Sequence, residues 1–294
     1  MQYIIDASHA YRMWEQDEAA FIDCRFVLGQ PEAGNYAYRE AHIPRAEYFD
    51  LERDGSNAKS IDGTGGRHPL PDTNQLAAKL TALGINAERK VIVYDEQGGA
   101  MAARLWWLMT YLGHDQVFLL DGGWRSWLQA GYPVARGDEA EPHRSVADPP
   151  FVPRIRHEML VDALYIEDRQ TLIESGESIL LDSREAARYE GAAEPIDPVA
   201  GHIPGAWNYF WKENLDKQGH FRPLDERRQR FAPLTEAREI IVYCGSGVTA
   251  CPNVLSLLEA GLNHVKLYAG SWSDWISDSK RPIANGASSS RRTL

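Results

Sequence analysis

The chain has 294 residues, 44% of them hydrophobic and 25% charged. At roughly 150 residues per domain, that is length for two ordinary domains, with apolar residues enough for a core in each and no sign of wholesale disorder. Lys and Arg number 31 against 42 Asp and Glu, a net charge of −11, which repels phosphate backbones and anionic lipid and sets nucleic acid and membranes aside as partners.

A small anionic substrate remains open, because a local cationic pocket can sit on an acidic protein. Cys24, Cys244 and Cys251 form no CxxC pair and leave an odd one over, which argues against a disulfide framework. The opening Met1–Asp6 stretch has no basic region, and no apolar run nears the ~18 residues of a membrane helix. These features suggest a cytoplasmic, reduced protein in which a cysteine can serve as a nucleophile. The histidines show no metal spacing, and nothing calls for a cofactor.

In chain order the first half predicts strands at Phe21–Asp23, Lys90–Tyr94 and Val117–Leu120, with helices over Asn74–Leu83 and Ala100–Leu112. The stretch Pro133–Pro153 holds five prolines and little periodicity, as an extended linker would. The second half predicts strands at Ile179–Asp182, Glu239–Tyr243 and Val265–Tyr268 and a helix over Thr249–Ala260. Gly84 and Gly261 stand where helix C-caps fall. Apolar strands alternating with helices imply parallel βαβ units with both faces covered, an α/β fold.

The halves are copies. Phe21-Ile-Asp-Cys-Arg25 reads against Leu180-Leu-Asp-Ser-Arg184, and Ala41-His-Ile-Pro-Arg-Ala46 against Gly201-His-Ile-Pro-Gly-Ala206. Val91-Ile-Val-Tyr-Asp95 reads against Ile240-Ile-Val-Tyr-Cys244, and Leu119-Leu-Asp-Gly-Gly-Trp124 against Leu267-Tyr-Ala-Gly-Ser-Trp272. The pairs lie 159, 160, 149 and 148 residues apart, in one order, which means a duplicated domain. The expected division is an N-terminal domain over 1–135, a linker over 136–155, a C-terminal domain over 156–285 and a disordered tail over 286–294.

Where the copies differ, chemistry is expected. In α/β sheets ligands collect at the carboxyl ends of strands. There the second copy reads Cys244-Gly245-Ser246-Gly247-Val248-Thr249, and the first reads Asp95-Glu-Gln-Gly-Gly-Ala100. The glycines let backbone N–H groups turn inward as an anion nest, and the helix starting near Thr249 aims its positive end at the same point. Both features favour a thiolate at Cys244. The plainer alternative is a buried cysteine ending a strand.

This loop, the two His-Ile-Pro segments and the Trp-bearing strand ends resemble the tandem-domain rhodanese family of sulfurtransferases, over roughly residues 3–285. The resemblance implies two rhodanese-like domains, a catalytically silent first copy, and a second copy whose cysteine carries sulfur as a persulfide. A loop reading Cys-Gly-Ser-Gly-Val-Thr is similar to that of 3-mercaptopyruvate sulfurtransferases, whereas thiosulfate enzymes usually carry arginine and lysine there. Neutral Gly245 and Ser246 suit a donor whose charge sits on a distant carboxylate. Arg188 aligns with a family arginine that binds the substrate anion; Arg184 is a weaker candidate and a structural ion pair is its alternative. One departure stands out: the second substrate arginine that the family carries shortly before Gly-His-Ile-Pro is missing, and Glu194-Pro-Ile-Asp197 stands in its place. The resemblance further implies a triad of Ser246, His68 and Glu52 that protonates the leaving pyruvate, with the Gly-rich loop around His68 reaching across from the first domain.

The expected reaction is a ping-pong sulfur transfer from 3-mercaptopyruvate through Cys244 to a thiol, cyanide or a thioredoxin-like protein. Thiosulfate as donor and a non-catalytic persulfide carrier are the alternatives. The G-x-G-x-x-A match at Gly245–Ala250 lacks an acid after the next strand for a nucleotide ribose. A cysteine phosphatase would place arginine where Ala250 stands. Trp106, Trp107, Trp124, Trp127, Trp272 and Trp275 read as core aromatics, Cys251 as packing, and His42 and His202, present in both copies, as structural.

Overall fold

The computed structural model describes residues 2–137 and 146–286. Part of the expected linker and the expected tail from residue 287 onward lie outside the described residues. The chain forms two compact units, one of Met1–Asn57, Leu70–His157 and Leu215–Phe221, the other of Ala58–Pro69, Glu158–Asn214 and Arg222–Leu294. The units are therefore not simple halves, since an early segment carrying His68 belongs to the second unit and a late one carrying His220 to the first.

In the first unit, strands β1 (Ile4–Ile5), β2 (Ala19–Asp23), β3 (Ala46–Tyr48), β4 (Lys90–Tyr94) and β5 (Val117–Leu120) form a parallel sheet in the order β1-β5-β4-β2-β3. The second unit repeats it with β6 (Leu160–Val161), β7 (Ser178–Asp182), β8 (Trp207–Asn208), β9 (Glu239–Tyr243) and β10 (Val265–Tyr268), ordered β6-β10-β9-β7-β8. The central strands are buried nearly end to end, as parallel strands between helices must be. All six singled-out tryptophans are buried, with Trp127, Trp272 and Trp275 among the core clusters against the sheets.

The repeated motifs are framework. Tyr94 and Tyr243, at the ends of β4 and β9, accept the N–H of Ile43 and Ile203 at 3.2 and 3.1 Å, tying each His-Ile-Pro segment to a central strand. His42 and His202 bond the carbonyls of Tyr38 and Tyr189 through Nδ1 (2.8 and 2.7 Å) and stack on the same tyrosine rings. Asp23–Arg25 and Asp182–Arg184 are buried ion pairs, both at 2.6 Å, with Trp124 and Trp272 under the two guanidinium groups.

Candidate active site

The second unit gathers its singular residues at the carboxyl ends of β7, β9 and β10. Cys244 follows β9 directly and is 1% exposed. Its carbonyl accepts the N–H of Trp272 and that of Gly245 accepts the N–H of Ser273, both at 3.0 Å, at the start of the Ser271–Trp275 helix. A trans peptide holds its C=O and N–H on opposite sides. Anchoring these two carbonyls on that helix therefore turns the N–H groups of Gly245 and Ser246 the other way. The Cys244 N–H is held by the Ser271 hydroxyl (3.1 Å), on a serine at φ 56°. Among the described residues, the N–H groups of Gly245, Ser246, Val248 and Thr249 meet no protein acceptor.

Gly247 is required by the turn. It stands at φ 75°, and a Cβ on it would fall 2.1 Å from the carbonyl oxygen of Ala269. The following helix spans Cys251–Ala260, two residues later than expected, with Pro252 in its first turn. Thr249 and Ala250 remain in the turn, so the loop's own amides supply its donors. Cys251 opens that helix, fully buried, with its thiol on the Gly247 carbonyl (3.3 Å).

The first unit shows what such a loop holds. Asp95, in the place of Cys244, accepts the N–H groups of Gln97 (2.8 Å), Gly99 (2.9 Å), Met101 (2.8 Å) and Ala102 (3.0 Å) with its two carboxylate oxygens. Burial pushes this carboxyl up, and the four N–H bonds pull against it, with a net upward direction. The loop of the first copy is filled by its own carboxyl group.

Ser246 and His68 are both buried, and His68 Nδ1 lies 2.9 Å from Ser246 Oγ within the second unit. Glu52 belongs to the first unit, in a turn where its N–H donates to Asp50 Oδ1 (2.9 Å). Arg188, from the Ala186–Tyr189 helix after β7, bonds Glu194 through Nε (3.0 Å to each oxygen) and Asp197 through Nη2 (3.0 Å). Burial opposes the charge of Glu194, but Arg188 and the N–H groups of Asp197 and Ile196 outweigh it and lower its pKa. The Arg184 guanidinium is engaged within the framework. It is held by Asp182, the Gly201 carbonyl (2.6 Å) and Glu194 (3.3 Å), and the first two contacts recur in the first copy, where Arg25 meets Asp23 and the Ala41 carbonyl. Arg67 stands beside Gly245, where sequence spacing gives it no role, and its guanidinium pairs with Asp197. Arg67 follows Gly65-Gly66 directly, and that glycine pair was the one local sign of a close approach. No group of His, Cys, Asp and Glu among the described residues is arranged to hold a metal ion.

A duplicated parallel α/β unit with a cysteine in a backbone nest defines a class of protein, and a rhodanese-like domain model matches residues 6–130 and again 166–278. The chain belongs to the rhodanese-like domain family, in two tandem copies. A protein of Pseudomonas aeruginosa named "Probable 3-mercaptopyruvate sulfurtransferase" is 44% identical over 281 residues, 94% of this chain and 95% of the relative. An Arabidopsis thaliana protein named "Thiosulfate/3-mercaptopyruvate sulfurtransferase 1, mitochondrial" is 32% identical over 272 residues, 86% of this chain and 70% of the relative. The structure of 3-mercaptopyruvate sulfurtransferase from Leishmania major superposes with a TM-score of 0.83 at 28% identity, covering 96% of this chain and 76% of that one.

Proposed function

We propose that the chain is a sulfurtransferase that takes sulfur from 3-mercaptopyruvate onto Cys244 and passes it to a thiol, cyanide or a thioredoxin-like protein. The observation that carries this reading is the paired loops. Where Asp95 lays a carboxylate on four N–H groups, the second copy offers a sulfur nucleophile and N–H groups that meet no acceptor among the described residues. A thiolate or persulfide anion at Cys244 suits such a nest.

The Cys244 thiolate attacks the donor sulfur, forming the S–S bond while the donor C–S bond breaks. The electron pair of that bond goes to the methylene carbon, giving the enolate of pyruvate. Ser246 protonates the enolate and recovers a proton from His68, which lies 2.9 Å away and regains one from solvent. The persulfide proton passes to solvent, and the anion rests on the loop amides. An acceptor thiolate then attacks the outer sulfur and releases Cys244 as thiolate. The cysteines, all free in the structure, need a reducing compartment for this cycle, which suits the cytoplasm. Among the described residues no helix is long and apolar enough to cross a membrane.

Incubation with 3-mercaptopyruvate followed by intact-mass measurement tests the reading. The wild type should gain one sulfur atom and release one pyruvate, and Cys244→Ser should do neither. A Cys244→Ser protein that still acquires sulfur would refute the assignment.

A further inference from the structure

Two guanidinium groups cover the Cys244 loop. A methyl group placed on Gly245 would lie 2.8 Å from Arg67 Nη2 and 3.4 Å from Arg188 Nη2. The turn Gly65-Gly66-Arg67-His68 fixes Arg67 there through its backbone. The Gly65 N–H donates to Asp274 Oδ1 (2.7 Å) and the Arg67 N–H to Ser273 Oγ (3.0 Å). Gly66, at φ 77°, passes so close to Gly270 that a Cβ would fall 2.3 Å from its carbonyl oxygen. The same Ser271–Trp275 segment therefore positions both the Cys244 loop and Arg67.

Asp197 stands between the two cations. One of its carboxylate oxygens pairs with Arg67 Nη1 and the other with Arg188 Nη2 (3.0 Å). The Nε of Arg67 is buried and has no hydrogen-bond partner among the described residues. Arg67 thus keeps a donor unspent beside a loop whose reacting group is a cysteine.

We propose that Arg67 is a donor-binding residue and that Asp197 sets the donor charge the pocket accepts; the proposal rests on the sulfur-transfer reading above. Arg67 and Arg188 together grip the donor carboxylate, taking from it the bridging contacts that Asp197 makes between them. The stretch Glu194–Asp197 supplies acids and no arginine, so the second cation reaches the loop from residue 67 instead. Arg67 and Arg188 are balanced in charge by Asp197 and Glu194. Such a cluster tolerates a monoanion with a distant sulfur better than a dianion such as thiosulfate, whose extra charge meets two fixed carboxylates.

Steady-state kinetics with both donors on the full chain test this. Arg67→Gln should raise KM for 3-mercaptopyruvate about tenfold or more, as loss of a charge-assisted bond to a carboxylate does, with a smaller change in kcat. Arg67→Lys should recover part of the loss, because a point charge replaces a planar fork. Asp197→Asn should shift the ratio of kcat/KM for thiosulfate over mercaptopyruvate upward several-fold. A KM unchanged in Arg67→Gln, or a loss confined to kcat, overturns the donor-binding role. An unchanged donor ratio in Asp197→Asn overturns the charge-setting role, and that variant reports on the pocket even where Arg67→Gln folds poorly. Failure of the wild type to form a persulfide with either donor would instead refute sulfur transfer itself.

Discussion

In the proposed mechanism Ser246 is a proton donor, a role that counts only where the leaving group needs a proton. Thiosulfate leaves sulfite, a stable anion, whereas mercaptopyruvate leaves an enolate carbon that must be protonated. Ser246→Ala and His68→Gln should therefore lower kcat/KM for mercaptopyruvate by about a hundredfold, a usual contribution of positioned proton transfer, and change thiosulfate turnover far less. Equal losses with both donors would make the Ser246–His68 bond a packing feature. Cys244, Gly245, Ser246 and Gly247 were legible in the sequence because they form one contiguous loop and its repeat partner carries Asp95 where the cysteine stands. Arg67, Asp197 and Ser271 were not legible as neighbours of that loop. They arrive from three separate stretches of chain, and spacing along a sequence carries no information on which stretches meet. Ser271 left still less trace, since a serine at positive φ has no residue signature comparable to glycine.

At the scale of elements, duplication separates framework from chemistry. The pair Asp182–Arg184 has its counterpart in Asp23–Arg25, in a copy without the cysteine, and a purely structural role for Arg184 makes a prediction. Its guanidinium holds Asp182, the Gly201 carbonyl and Glu194, all buried. Arg184→Met strands those carboxylates without their cation and should destabilise the protein by about 3–5 kcal/mol, read as a lowered midpoint in denaturant unfolding. An unaltered midpoint with a raised KM would return Arg184 to donor binding. Strands β4, β5, β9 and β10 were readable to the residue because buried parallel strands are short, mostly apolar runs. The two-residue strands Ile4–Ile5, Leu160–Val161 and Trp207–Asn208 were not, since two residues carry no period. The helix after Cys244 starts at Cys251 because the preceding peptides are turned to face the nest, a demand that helical propensity at Thr249 does not reveal.

At the scale of the molecule, each unit buries a neutral imidazole, and this sets how stability responds to acid. Burial lowers the pKa of His114 in the first unit and of His202 in the second below the ordinary 6.5. At His202 the Tyr189 carbonyl and Asp182 favour the proton, while Arg184 adds to the penalty of burial, and the net direction is downward. The unfolded chain therefore binds protons first as pH falls through 6.5, and folding stability is present above that value and lost below it. Glu194 follows the same sign in a lower window. Its pKa is held below the ordinary 4.5, so the stability it contributes is lost only on further acidification. Thermal unfolding should show a Tm that is steady from pH ~8 to ~7 and falls between pH ~6.5 and ~5, above the carboxylate range. His202→Gln keeps a polar side chain that can bond the Tyr189 carbonyl and removes the titration, so it should flatten part of that fall. A His202→Gln variant whose Tm falls with acid as steeply as the wild type's would contradict the burial argument for His202.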